Sequence, residues 1–528
     1  MQESFDYIVV GGGSAGCIAA AKLSEREDRT VLLLEDGDAA TDHPETLRAD
    51  GYKTAFANDD LVIERFSTVD DKWGGRRVFQ GSGHGLGGSG NINAMVYTRG
   101  SALDYDEWPR GWKWDDVQGD FEAIERVLRP RRRPPTEFTE TCLDAAEEAG
   151  FRRKHDLNDG DLSGVLGYEH MNYEDNDRRS SYVGFLAPAL GRPNLTVRTR
   201  ARVERLTVDE RGVTGVRYRH DGGLHEALVE REVLMCAGAL ETPRILMLSG
   251  IGPSDALRRV GLPAVHHVVG VGENLHDHPN VCLFHRGQRE VDCSHPQLYG
   301  FHRANDQSAL PEGMSDTCYV FYPARSSLRE AMMRILPGLV LPEPLYDLPA
   351  LPRAIRGGVD LAFRARRLRE QVERVWGIVV ILGKPKSRGR LRLSAASPDV
   401  PAEIDPGYFA DPEDMETMLR GVDRARRVAG ASPLASWGNT ELFPGPLGKT
   451  REAVEQWIRQ NVMTTYHYAG TCAMGDNGVS VCDPELKVRG VDKLRIADAS
   501  AIPTTPVSAL NAPSMLVGYR AATYAARS

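Results

Sequence analysis

Residues 5–10 (Phe5, Asp6, Tyr7, Ile8, Val9, Val10) are almost uninterruptedly apolar, the pattern of a short strand covered on both faces in a parallel sheet. An alanine-rich stretch with helical spacing follows to about Leu23, and a second apolar run occupies residues 30–34. Strand, helix and strand in that order predict a βαβ unit at the head of the chain. Further along, residues 202–206, 379–381 and 390–393 read as strands and residues 412–428 as a helix. Residues 513–526 form a last, apolar helical stretch. Two segments, 327–335 and 361–374, combine amphipathic spacing with many arginines, and read either as a solvated covering pair or as a lid or membrane-surface contact. The greasiest stretch, 335–351, is broken by Pro337, Pro342, Glu343, Pro344, Asp347 and Pro349, so no apolar run reaches the roughly 18 residues of a membrane span.

Between the first strand and the helix lies Gly11-Gly12-Gly13-Ser14-Ala15-Gly16, a G-x-G-x-x-G turn, and the second strand ends in Glu35. Each part has a physical task. Gly11 permits the tight turn, Gly13 lets the backbone approach a pyrophosphate, and Gly16 lets the helix pack closely on the strand. The helix N-terminus offers free N–H groups and partial positive charge to phosphates. Glu35 is placed to accept hydrogen bonds from ribose hydroxyls, and its charge disfavours a 2′-phosphate and hence NADP. Strand, turn, helix, strand and acid in this order predict a dinucleotide site, with FAD and NAD both open at this point.

Length, composition and charge sharpen that picture. The 528 residues correspond to about three domain-sized units. The 53 glycines cluster in short runs, which points to backbone brought close to a ligand. The net charge of −9 argues against nucleic acid as a partner. The 8 cysteines are scattered without a CxxC pair, so neither a zinc site nor a disulfide framework is expected, and no metal is assigned. A strand pattern begins at once after Met1, with no signal-peptide pattern, and a cytoplasmic location is the expectation.

A second glycine cluster, Gly81-Ser82-Gly83-His84-Gly85-Leu86-Gly87-Gly88-Ser89-Gly90, leads into Asn91-Ile92-Asn93-Ala94-Met95-Val96-Tyr97. It is too glycine-rich for a helix or strand interior and reads as an extended loop against a flat ligand. Further motifs are Gly238-Ala239-Leu240-Glu241-Thr242-Pro243-Arg244 running to Gly252-Pro253, the segment Val271-Gly272-Glu273-Asn274-Leu275-His276-Asp277-His278, and Ser387-Arg388-Gly389. Tyr466-His467-Tyr468-Ala469-Gly470-Thr471-Cys472 and Leu494-Arg495-Ile496-Ala497-Asp498-Ala499 complete the set. Together, and in this order along almost the whole chain, they resemble the signatures of the glucose–methanol–choline (GMC) flavin oxidoreductases.

That resemblance implies FAD rather than NAD, and an α/β fold (α+β overall) in which a Rossmann-like FAD-binding domain is interleaved with an antiparallel-sheet substrate-binding domain. The implied boundaries are 1–160, 190–300 and 455–528 for the FAD domain, and 160–190 and 300–455 for the substrate domain. By the same likeness Gly11, Gly13, Ser14, Ala15, Gly16, Glu35 and Asp36 hold the ADP half. Val203 meets adenine through its backbone. Gly81, Ser82, Gly88, Asn91, Asn93, Ala94, Met95 and Val96 belong to the loop along the isoalloxazine. Ala237, Gly238, Asp498, Ala499 and Asn511 close the site.

Alcohol oxidation removes a hydroxyl proton and a hydride from the same carbon; flavin accepts the hydride at N5, and histidine suits the proton. Of 14 histidines, His467 matches the family's catalytic one. The family's second catalytic histidine or asparagine falls here on Ala509, a departure for which Ser508, Asn511 or a substrate group are the alternatives. Asn511 is carried as a catalytic as well as a flavin-contacting candidate. His276 and His278 read as structural. Ile92 stands where some choline-oxidising relatives attach flavin through histidine, which implies non-covalent FAD; His84 replaces the usual basic residue. The function implied is oxidation of an alcohol to the aldehyde, with choline-like, sugar or aminoglycoside-type primary alcohols as substrates and oxygen, quinone or dye as acceptor. A cyanohydrin lyase and a non-catalytic flavin-binding protein are the alternatives.

Overall fold

In the computed structural model, which describes residues 3–527, two sheets organise the chain. The first has seven strands, ordered Leu195–Arg198, Val31–Leu34, Glu3–Val10, Gly223–Met235, Val213–His220 and Arg202–Val208, with Leu494–Ile496 alongside Gly223–Met235. The strands with the most continuous apolar runs take the middle: Val31–Leu34 is buried at every position, as expected where helices cover both faces of a parallel sheet. Strand Gly223–Met235 has 13 residues, long enough for two roles. Its first half pairs antiparallel with Val213–His220, and its second half runs parallel to Glu3–Val10 and Leu494–Ile496.

All the parallel strands end at one edge, and from that edge emerge the segments 11–13, 35–37, 236–238 and 497–498. A ligand crevice belongs outside the carboxyl ends of such strands. Helix Ser14–Leu23 starts there and lies against helix Asn511–Arg527. The contact is close: a Cβ on Gly518 would sit 2.6 Å from the Ala15 carbonyl oxygen. Tyr7 Oη also donates to the Ala525 carbonyl at 2.9 Å.

The second sheet has eight strands and is antiparallel apart from one short edge pair. Its central strands are Pro279–Arg286, Val375–Leu382, Thr317–Pro323 and Leu298–His302. One face, carrying Val281, Leu283, Ile378, Val380, Tyr319 and Phe321, forms a core with Met415, Met418, Leu419 and Val422 of helix Pro412–Gly430. The other face, with Tyr299, Cys318 and Ile381, packs on Val507 and takes in the half-buried Val96, Val320 and Val379. This sheet therefore begins before residue 300, where the sequence places the change of domain, and it also recruits Arg152–Arg153 and Met463–Thr464. The apolar positions of 279–286 and 298–302 mark strands but not the sheet they join.

The two arginine-rich amphipathic segments fall in a helical hairpin, Leu328–Val340 against Ala350–Arg364. The expected single helix over 361–374 is instead the end of Ala350–Arg364 and a separate turn of helix, Arg366–Val372, parted by extended Ala365. A charge network fastens the hairpin to the body. Arg334, fully buried, pairs with Asp59 (2.8 Å) and Glu64 (2.5 Å), and Arg356 pairs with the same two carboxylates at 2.7 and 2.8 Å. Around the tip of the hairpin, Leu339, Val340, Leu345, Leu348 and Leu351 are exposed. No helix of the described residues is long and apolar enough to cross a membrane.

Candidate active site

The first glycine turn needs its glycines sterically. Gly11 has φ +99°, and a Cβ there would lie 2.6 Å from the Cys236 carbonyl oxygen; a Cβ on Gly16 would lie 1.9 Å from the Gly11 oxygen. Gly13 precedes the helix without any side-chain cap, and nothing stands within 4 Å of where its Cβ would be. The first N–H groups of helix Ser14–Leu23 are thus left for an outside acceptor, the arrangement a pyrophosphate fills. The second glycine run lies directly on the first: a Cβ on Gly88 would come 2.8 Å from Gly13 Cα.

Glu35 joins the two runs. Its Oε2 accepts from Gly12 N at 2.7 Å, and its Oε1 accepts from Gly37 N at 2.9 Å and Gly85 N at 3.1 Å. A carboxylate has about four acceptor positions, so roughly one remains for a ribose hydroxyl. Asp36 is exposed, 3.6 Å from His84 Nε2. Val203 lies in the edge strand Arg202–Val208, close to Ala201, whose N–H is bonded to the Glu35 carbonyl at 2.8 Å.

The loop 91–96 is held from behind. Asn91 Nδ2 donates to Leu86 O at 2.8 Å, and Met95, at φ +68°, passes its carbonyl to Asn172 N at 2.9 Å. Arg178, 1% exposed, donates to Gly90 O (3.0 Å), Asn93 Oδ1 (2.7 Å) and Asn93 O (2.7 Å). Burial pushes its guanidinium down to about 9. The sequence offers no signal for Arg178, which lies 85 residues from Asn93. Ile92, Asn93, Ala94 and Val96 keep half-buried surfaces. Ser82 Oγ accepts from Arg65, and Gly81 lies against the Phe79 ring.

At the far side Asp498 knits two motifs together. Its Oδ2 accepts from Gly238 N (2.8 Å) and Thr242 Oγ1 (2.5 Å), and its Oδ1 from Ser500 N (2.8 Å) and Oγ (2.6 Å). All acceptor positions of that carboxylate are taken by the protein. Ala237 borders Gly11, and Ala499 O accepts from Gly470 N at 3.3 Å. Asn511 opens the last helix, and its Oδ1 accepts from Ser14 Oγ at 2.9 Å, binding the two helix N-termini together.

His467 is half-buried and follows Tyr466, which sits at φ +63°. Its amide donates to Asp277 Oδ1 at 2.8 Å, and Tyr408 Oη donates to Oδ2 of the same carboxylate. Its Nδ1 lies 2.9 Å from Nδ1 of His278. Burial holds the His467 ring down to about 3, and burial followed by the His467 charge holds His278 well below the usual histidine range. His276 Nδ1 is bonded to the Asn274 carbonyl at 2.7 Å. His278, read from sequence as structural, instead touches the candidate base. Ser508 Oγ is fully buried and unpartnered, and Ala509 is 9% exposed. Phe56, Phe79 and Tyr466 make an edge-to-face aromatic cluster beside His467. Among the described residues no group of three or more His, Cys, Asp or Glu is arranged to hold a metal.

Comparison with known proteins matches residues 5–280 and 385–518 to the N- and C-terminal family models of GMC oxidoreductases. The chain belongs to the GMC oxidoreductases. This oxidoreductase is 30% identical over 554 residues to an oxygen-dependent choline dehydrogenase of Vibrio vulnificus (strain YJ016), covering 99% of the chain and 94% of the relative. It is 31% identical over 570 residues to the chloroplastic fatty acid photodecarboxylase of Chlamydomonas reinhardtii, covering 98% and 90%. Among solved structures, pyridoxine 4-oxidase from Mesorbium loti superposes with a TM-score of 0.84 at 24% identity, covering 98% of both chains. A fungal aryl-alcohol oxidase superposes with 0.74 at 22%, covering 100% and 99%. As a GMC oxidoreductase it is an FAD-binding flavoprotein of mixed α/β fold. The glycine cradle, the uncapped helix and the loop 91–96 fit that cofactor.

Proposed function

We propose that this flavoprotein oxidises the hydroxymethyl group of a small polar alcohol to the aldehyde, with His467 as the base. The supporting observation is that His467 is the half-buried imidazole of the site, held at Nδ1 and at its backbone amide, and kept uncharged by burial. Bound FAD supplies the two-electron acceptor for the hydride leaving the carbinol carbon. His467 takes the hydroxyl proton as the C–O bond gains double-bond character. Asp277 fixes the backbone that carries His467, and Tyr466, the residue before it, packs edge-to-face on Phe56 and Phe79. Choline-like alcohols lead the substrate class because of the choline dehydrogenase relatives; sugar and aminoglycoside-type alcohols follow. Oxygen, a quinone or a dye is the acceptor. The FAD is bound non-covalently, since Ile92 offers no nucleophile.

The test is anaerobic mixing of holoenzyme with choline, pyridoxine and an aryl alcohol, following the flavin absorbance. Bleaching by one of them supports the reading. No bleaching by any alcohol, with cleavage of a cyanohydrin instead, replaces it by the lyase reading. His467→Ala should lose most of the bleaching rate while FAD stays bound; an unchanged rate removes His467 from the role.

A further inference from the structure

His278 and His467 meet nitrogen to nitrogen: their Nδ1 atoms lie 2.9 Å apart, with the rings perpendicular at 89°. At that distance two bare nitrogens repel, and so do two N–H groups, so one proton lies between them. Their surroundings choose its owner. His278 is sealed from solvent, and the backbone acceptor beside its ring is the Gly383 carbonyl. With its Nδ1 turned to His467, a neutral His278 that accepts there carries its proton on Nε2, which is buried and makes no hydrogen bond among the described residues. Nδ1 of His278 is then a bare acceptor, and the shared proton sits on Nδ1 of His467. The remaining nitrogen of His467, Nε2, then keeps its lone pair and makes no hydrogen bond among the described residues.

We propose that His278 is a positioning residue that fixes His467 in the Nδ1–H tautomer, so that the nitrogen offered to a substrate hydroxyl is the basic one. This rests on the reading of His467 as base. Of the alternatives expected near residue 509, Asn511 Oδ1 is held by Ser14, and Ser508 Oγ is sealed from solvent without a partner. The step balances. The alcohol O–H bond breaks and an Nε2–H bond forms on His467, and FAD, when bound, would supply the two-electron acceptor for the hydride leaving the carbinol carbon. The resulting imidazolium keeps its Nδ1–H on His278, and that hydrogen bond gains strength with the charge. The ionisable groups around the pair are Asp277, Tyr408, His276 and Lys384.

The experiment uses holoenzyme of three variants, His278→Leu, His278→Asn and His278→Gln, with the fastest-bleaching alcohol of the panel above. A tautomer lost from the bound complex lowers the maximal rate rather than affinity. In His278→Leu the maximal bleaching rate should fall about 10–100-fold, with half-saturation within about threefold of wild type. His278→Asn places an oxygen where Nδ1 was and should recover most of the rate; His278→Gln places its amide one atom further and should not. A wild-type rate in His278→Leu, or equal losses in Asn and Gln at full FAD content, overturns the positioning role. If His278→Leu fails to hold FAD, the Asn and Gln pair decides alone. His467→Ala measured alongside separates the levels. If it bleaches normally, the base reading falls and the positioning role with it; if it is dead while His278→Leu is normal, only the positioning role falls.

Discussion

The bonds of Glu35 give a number for what one carboxylate contributes to cofactor binding. Its two oxygens take three backbone N–H groups, from Gly12, Gly37 and Gly85, at 2.7–3.1 Å. Glu35→Gln preserves size but turns one oxygen into an NH2 that confronts donors. At least one buried N–H then loses its acceptor, at about 1–3 kcal/mol, and the remaining bonds lose their charge, at about 1 kcal/mol more. The sum, about 2–4 kcal/mol, corresponds to roughly 30–1,000-fold at about 1.4 kcal/mol per tenfold. The loss should appear in FAD affinity, because these amides set the spacing of the two glycine runs that face the cofactor. Titrating apoprotein with FAD by flavin fluorescence measures it, with the thermal midpoint as a second readout. Glu35→Gln binding FAD within threefold of wild type, at an unchanged midpoint, would refute the reasoning.

Three other outcomes are expected. Arg178→Leu removes three charged hydrogen bonds to the loop at Gly90 and Asn93 and should lower FAD occupancy in the purified protein; equal occupancy at equal thermal stability would remove Arg178 from that role. Because burial holds His467 down to about 3, the base is uncharged throughout the neutral range and becomes protonated only as pH falls towards that value. The kcat/KM for an alcohol should therefore show no acid limb near the ordinary histidine value of about 6.5, and a limb there would contradict the assignment. Finally, acid precipitation should leave the flavin in the supernatant; flavin carried down with the protein would show a covalent link.

Local patterns and long-range ones were not equally legible in this chain. The strand at 3–10, the glycine turn and Glu35 stand within 35 residues, so their spacing carries their geometry. The helix at 412–430 and the last helix are likewise written in periodicity. The contact of His278 with His467 spans 189 residues, and that of Arg178 with Asn93 spans 85. No period in the sequence encodes such pairings, because they follow from how two sheets face each other. The assignment of 279–302 to the second sheet failed to show for the same reason. The role of Glu35 was half legible: its acidity and place were plain, but not that three amides of the protein would claim most of it.

The embrace of helix Ser14–Leu23 by helix Asn511–Arg527 bears on how the enzyme is made. The cofactor cradle opens on the glycine turn at residues 11–16, yet one flank of it comes from a helix whose first residue, Asn511, lies 497 positions after Ser14. Asn511 reaches Ser14, and Gly518 lies against Ala15. Until that helix emerges, the apolar flank of the first helix has no cover, and the anchoring Ser14 hydroxyl no acceptor. The cradle is therefore complete only once that helix has docked on the first. Chains cut short before residue 511 should accumulate without colour and be sought out by proteases and chaperones, however intact their N-terminal glycine turn.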